Sequence, residues 1–240
     1  MKAITSRKVF AMLGSGVIVL LVSSCATTSS TRASAERFPS KYVATDGRVF
    51  EIGSRSPADG GWNFKHPRFE SCWIADGFNF TGYDTLYIAP TLSTAKLHNE
   101  EEEKPHALAK ENIVVELERQ LRSRNIFPNI ATQESEIKPG AHVLKLEDTI
   151  VEYAKGGGAA RYFVGLFGGG QPVLVVDGRM TDGDKTVFRF RARRSGVSAG
   201  ARVAGVWMSD VAIQTEDIQN FAIDLTDFME AISGKAQPKS

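Results

Sequence analysis

From Thr186 to Arg193, Phe188, Phe190 and Ala192 alternate with Arg189, Arg191 and Arg193. A period of two is that of a pleated strand with one buried and one wet face, so this segment commits the chain to a sheet with a single packed side. Just upstream, Val173 to Met180 is a second apolar run, and Asp182-Gly183-Asp184 joins the two. Glycine accepts the positive φ that tight hairpin turns demand, so the pair is predicted to be antiparallel neighbours. The packed face of this sheet needs helices. Ile218, Phe221, Ala222, Leu225, Met229 and Ile232 follow the helical period, with Thr215 placed to cap the start, Glu216 and Asp217 at its positive end, and Gly234 closing it.

A second helix is predicted from about His106 to Arg124, where Ala109, Ile113, Leu117 and Leu121 recur every four residues. Glu100 to Glu103 precede it as a solvated acidic entry, and Pro105 suits its first turn. Leu86 to Ala89, closed by Pro90, Phe127 to Thr132, and His142 to Tyr153 read as further strands. The expected fold is therefore α+β: a mixed, mostly antiparallel sheet of about five strands with two helices packed on it. Residues 41–80 carry turn signals at Asp46-Gly47, Pro57-Ala58-Asp59-Gly60-Gly61 and Asp76-Gly77. They read as an irregular cap with one or two short strands, its Trp62, Phe64, Phe69, Trp73, Phe78 and Phe80 forming a satellite core.

The N-terminus supplies an address. Lys2, Arg7 and Lys8 precede an apolar run from Val9 to Val22 of roughly 14 residues, shorter than the ~20 that a spanning helix needs and suited to a signal peptide. Val22-Ser23-Ser24-Cys25 resembles the lipobox of bacterial lipoproteins. That resemblance implies cleavage before Cys25, acylation of Cys25 and anchoring to the membrane through acyl chains. Two or three chains give an effectively permanent anchor, at about 0.8 kcal/mol per buried methylene. Ala26 stands where Asp would retain a Gram-negative lipoprotein at the inner membrane, which implies the outer membrane, facing the periplasm. Residues 1–24 are thus the expected leader, 25–40 a Ser/Thr-rich tether, 41–80 the cap, 81–233 the α+β domain and 234–240 a polar tail.

Removing the leader takes three cations with it and turns a formal +1 into about −2, which leaves no global field for nucleic acid. With Cys25 acylated, Cys72 has no thiol to pair with inside the chain and reads as a small buried apolar residue. No cofactor or metal site is expected, because His66, His98, His106 and His142 have no ligand spacing.

Between the third strand and the hairpin runs Gly156-Gly157-Gly158-Ala159-Ala160-Arg161-Tyr162-Phe163-Val164-Gly165-Leu166-Phe167-Gly168-Gly169-Gly170. This small-residue, Arg, aromatic and glycine-cluster pattern, from about Tyr83 to Ile232 with its order of strand, helix, strands, hairpin and helix, resembles a family of uncharacterised bacterial lipoproteins, a domain of unknown function. The family's architecture is in turn similar to the TolB N-terminal domain and the curli-secretion lipoprotein, and it implies an envelope role without catalytic residues. The segment lacks the Gly-Lys-Ser/Thr of a nucleotide cradle. It either packs under a helix or, with Arg161, Tyr162, Phe163 and Phe167 exposed, meets a partner, another copy or lipid. The Arg189, Arg191 and Arg193 stripe is likewise a solvated face first, and a contact for anionic lipid or an acidic partner second.

Gly196-Val197-Ser198-Ala199-Gly200 matches the nucleophile-elbow pattern, but that fold places its histidine after the serine and the last histidine here is His142. The chain is therefore read as a non-enzymatic binding or assembly component of the envelope. A small-ligand module with a cleft between cap and sheet is the alternative, and a serine hydrolase using Ser198 the remote one.

Overall fold

The computed structural model describes residues 41–43, 49–56, 60–66, 68–157, 172–195 and 210–233. The leader, Cys25, the tether, Arg161, Tyr162, Phe163, Phe167, Ser198 and the tail lie outside them. The chain runs β1 (Lys41–Val43), β2 (Val49–Ser56), β3 (Gly61–Lys65), β4 (Phe69–Ala75), β5 (Thr85–Ile88) and β6 (Leu92–Ser93). Then come α1 (Glu103–Arg124), β7 (Asn129–Ala131), β8 (Val143–Ala154), β9 (Val173–Asp182), β10 (Lys185–Arg194) and α2 (Asp210–Ile232).

The strands form one sheet in the order β1-β2-β3-β4-β10-β9-β8-β5-β7, with β6 pairing β8 off this path. Neighbours from β1 to β8 are antiparallel, while β8/β5, β5/β7 and β6/β8 are parallel. The mixed, mostly antiparallel α+β class holds, but among the described residues the sheet has ten strands rather than about five. The difference lies mainly in 41–80. This stretch is no irregular cap: β1 to β4 form an antiparallel meander that extends the main sheet through β4 and β10, Cys72 opposite Phe190 and Trp73 opposite Arg189. Its Trp62, Phe64, Phe69, Phe78 and Phe80 accordingly belong to the main core rather than to a satellite. The β9/β10 hairpin turns at Gly183, whose φ is +55°, and Lys185 pairs back onto Asp182, as its sequence requires.

Parallel strands cannot be joined by a tight turn, and α1 carries the chain from the β5–β6 side of the sheet to β7. A 3₁₀ turn, Glu100–Glu102, starts the helix earlier than expected. The acidic entry is not wholly solvated either: Glu102 is buried, its carboxylate accepting the backbone N–H groups of His98 at 2.7 Å and Lys155 at 3.1 Å. Asn125, with φ +51°, closes the helix in the left-handed region that asparagine tolerates.

Helix α2 begins at Asp210, so Thr215 is not its cap; its hydroxyl donates back to the Val211 carbonyl at 2.8 Å inside the helix. Polar Gln214 to Asp217 imitate a helix start, but buried Ile213 extends the apolar stripe one turn upstream. Phe221 packs on Phe190, and Phe228 on Phe64 and Phe188, at centroid separations of 5.4 to 6.0 Å. Burying each such ring contributes about 1.5–3 kcal/mol. At the parallel end, Tyr87, Ala89 and Ala131, backed by Ile137 and Val143, bury the opposite sheet face as well.

Gly178 makes one of these contacts possible. A Cβ built there would stand 2.0 Å from the Phe190 ring, which is held between Phe69, Phe188 and Phe221. Gly178→Ala is expected to lower the free energy of denaturant unfolding by about 1–3 kcal/mol. The double variant Gly178→Ala/Phe190→Leu should lose less than the sum of its two parts.

Candidate functional site

The helices cover one face of the sheet, and β3, β4, β10, β9 and β8 show the other to solvent. Strand register sorts the exposed side chains into rows. Asn63, Trp73, Arg189, Arg179 and Glu147 lie across one, and Ser71, Arg191, Asp177, Thr149 and Leu92 across the next. The arginine stripe is therefore on the wet face, interleaved with carboxylates from neighbouring strands. Arg191 grips Asp177 with two bonds, Nε to Oδ1 at 2.7 Å and Nη2 to Oδ2 at 3.0 Å. Arg193 reaches Glu70 at 3.2 Å and also pairs with Glu152. Arg179 and Lys145 both meet Glu147 at 2.8 Å, and these cations hold its carboxyl below the usual range, Lys145 foremost. The Arg189 guanidinium lies 4.4 Å above the Trp73 ring, shielding that indole on the sheet surface.

Exposed pairs of this kind contribute only about 0.2–1 kcal/mol each, so this face is not what holds the fold together. A groove of about 610 Å³ runs over it, lined by Trp73, Leu92, Glu147, Asp177, Arg179, Arg189 and Arg191 among others. Of the residues picked from the sequence, it gathers Arg189 and Arg191, while Arg193 sits one row beyond. Trp73, Asp177, Arg179 and Glu147 were missed. The signal was present in the alternation of β8 and β9, where Lys145, Glu147 and Thr149, and Asp177 and Arg179, are the outward positions. It shows only once the strands are put in register.

Directly beneath the groove, between outward Glu147 and Thr149, Asp148 points into the core opposite Gly178. It is 1% exposed, with neither carboxylate oxygen completing a hydrogen bond of normal geometry and the Thr91 hydroxyl as its polar neighbour. Burial pushes its pKa up to about 6.

At the far end of the sheet, His142 faces Gly82 O through Nδ1 at 2.7 Å and Asp182 Oδ1 through Nε2 at 3.3 Å, and stacks on Tyr83 at 4.3 Å. Tyr83 donates its hydroxyl to Asp182 at 3.0 Å. Both partners of the imidazole are acceptors, so its charged form is favoured and its pKa is raised, the Gly82 carbonyl being the largest cause. Elsewhere, His106 contacts the Ser93 hydroxyl at 2.8 Å, and its pKa is lowered by burial. Cys72 is buried in the core, which pushes its thiol pKa up. Among the described residues, no group of three or more His, Cys, Asp or Glu side chains could hold a metal, and no helix is long and apolar enough to cross a membrane.

No family model matches the chain. No curated protein matches it either. Among solved structures it is similar to PelC from Paraburkholderia phytofirmans, a dodecamer in its crystals, with 14% identity over 64% of this chain and 96% of that one and a TM-score of 0.41. It is also similar to protein XCC0632 of Xanthomonas campestris, of family DUF330 (10%, 68% and 91%, 0.37). A minor lipoprotein of Acinetobacter baumannii is a further likeness (13%, 66% and 98%, 0.30). At these scores the likenesses decide nothing about the site, whose own groups can be tested. A carboxyl whose pKa is raised from 3.8 to about 6 on folding stabilises the fold below pH 4, and that contribution is lost as pH rises through 6. Asp148→Asn is therefore expected to gain stability over the parent between pH 3 and pH 8, by up to about 3 kcal/mol in urea unfolding. An unchanged difference across that range would show that Asp148 does not titrate there.

Proposed function

We propose that this chain is a lipid-anchored envelope protein, held by acyl chains on Cys25 at the periplasmic face of the outer membrane. It acts there as a non-enzymatic binding or assembly component. The observation that supports a binding role is the groove of about 610 Å³ on the uncovered sheet face, with ion pairs that rearrange cheaply and an indole under Arg189. A surface of exchangeable charge pairs favours a polar partner of mixed charge over a purely anionic lipid surface, because Asp177, Glu70 and Glu152 already neutralise Arg191 and Arg193, and Glu147 neutralises Arg179 and Lys145 beside them. Arg161, Tyr162, Phe163 and Phe167 stay part of the reading as a second contact segment.

A small-ligand module is the second reading. It is favoured by the groove's size, which falls within the roughly 300–1,000 Å³ of small-molecule sites. Its walls join β3 and β4 to β10, β9 and β8, so the ligand would lie across one continuous sheet rather than between a cap and a sheet.

Labelled palmitate is expected to enter the parent chain and not Cys25→Ala, which should also leave the membrane fraction; labelling that persists in the variant removes the anchor. For the contact surface, a photo-crosslinking residue at exposed Ser71 should capture an envelope protein in native membranes, and Arg191→Glu should abolish the adduct. That variant is expected to change unfolding stability by less than about 1 kcal/mol, since Arg191 serves only exposed pairs. No adduct from Ser71, together with a thermal shift by an envelope metabolite that Arg191→Glu removes, would favour the small-ligand reading.

A further inference from the structure

The large exposed hydrophobic side chains of the described residues are Leu92 (64%), Leu108 (43%), Val115 (60%) and Val211 (56%), and they lie together around one face of α1. Leu108 and Val115 are on the helix itself, seven residues and two turns apart. Val211 adjoins Leu108 across a small groove of about 160 Å³ between α1 and the first turn of α2. Leu92 adjoins Val115 across a groove of about 490 Å³ lined also by Pro90 and Val114. The result is an apolar ridge with a furrow on either side, which is the relief that helices use to pack ridge into groove.

The polar residues that continue this ridge indicate what covers it. Lys104, Leu108, Glu111, Val115, Glu118 and Arg122 follow the alternating three- and four-residue spacing of a single helix stripe; Glu101, in the 3₁₀ turn just before the helix and bonded to Lys155 at 3.0 Å, continues it. Laid parallel on a copy of itself, the stripe would set Glu101 on Glu101 and Arg122 on Arg122, like against like throughout. Laid antiparallel with Leu108 opposite Val115, it sets Glu101 beside Arg122 of the partner subunit and Lys104 beside Glu118 of the partner subunit, four opposite-charge contacts against one like pair, Glu111 beside Glu111 of the partner subunit at the centre. The helix dipoles then oppose as well. Arg122 and Glu118 already bond each other at 2.8 Å, half-exposed on this stripe, so the incoming acid and base extend an existing pair. Outside that central acid pair the stripe is self-complementary in one orientation alone, the property of a two-fold interface in which one patch meets itself.

We propose that this face of α1 is where two copies of the chain meet, antiparallel across a two-fold axis near Glu111 and Asn112. Leu92 and Val211 widen the contact on both flanks. The charged groove on β10 and β9 lies on the opposite side of the sheet and stays open except at its Leu92 edge, so the pairing doubles that surface while covering little of it.

Cysteine crosslinking of the full chain in isolated membranes tests this. Leu108→Cys and Val115→Cys are made singly and together, with the parent chain as background for Cys25 and Cys72. Mild oxidation is expected to give several-fold more covalent dimer when both positions are present than with either alone, and mass spectrometry should find the 108–115 link. Sedimentation of the detergent-solubilised parent should show a two-chain species that Val115→Lys converts to one chain with unaltered thermal unfolding. A 108–108 link as the main product would overturn the antiparallel arrangement. A single-chain species at every concentration, including the case where Val115→Lys instead removes a different bound protein, would overturn the pairing.

Discussion

Helix α2 is the constraint around which everything else is arranged, because its C-terminal half is buried on nearly every side and yet carries Asp224 and Asp227. Pairing offsets the several kcal/mol that stripping a carboxylate of water costs. Arg194, the last residue of β10, meets Asp224 at 2.5 Å, and Arg124, the last residue of α1, meets Asp227 and reaches Glu230 at 2.7 Å. Those two arginines fix where the sheet's end and the helix's end can lie relative to α2. Apolar packing would tolerate several slides of α2 along the sheet; charge pairing accepts one.

With stability drawn from that side, the opposite face is released from structural duty. Its ion pairs are half-exposed and worth little to the fold, so their residues can be arranged for contact rather than for cohesion. Strand β8 makes the division visible within consecutive residues: Glu147 and Thr149 line the groove, and Asp148 between them is sealed in the core. A carboxylate buried without a matching cation is a cost that the rest of the core has to offset. In that respect Asp148 contrasts with Asp224, which is as deeply buried and has its arginine.

What could be read from the sequence was whatever local periodicity encodes. The β9/β10 hairpin, the strand around Leu86 and the long helices carry their period and their turn residues within one stretch of chain, and each lies close to where it was expected. What could not be read was set by partners far away in sequence. Thr215 imitates a cap because a polar run interrupts the apolar stripe, and only the packing of Ile213 shows that the helix has already begun. Arg189, Arg191 and Arg193 look like a basic stripe because the acids of Arg191 and Arg193, Glu70, Glu152 and Asp177, and the indole under Arg189 are on other strands. Arg161, Tyr162, Phe163, Phe167, Ser198 and Cys25 lie outside the described residues, and their roles rest on the sequence.

The misreading of residues 41–80 has the same origin and the larger consequence. Glycines and prolines between short apolar runs suggest a lid, yet β4 adds directly to β10, so Phe69 reaches Phe190 and Phe64 reaches Phe228. Closing a loop of more than a hundred residues between β4 and β10 costs only a little more than closing a short one, because the entropy grows with the logarithm of length. Burial of those rings offsets it easily. The segment is therefore part of what makes β10 an interior strand: without β4, β10 would present an open edge beside exposed aromatic core, the arrangement most prone to pairing with other chains. The groove exists for the same reason, since Asn63, Ser71 and Trp73 supply its wall on the β3–β4 side. Fold closure and the candidate contact surface thus depend on a single strand pairing, the one between β4 and β10.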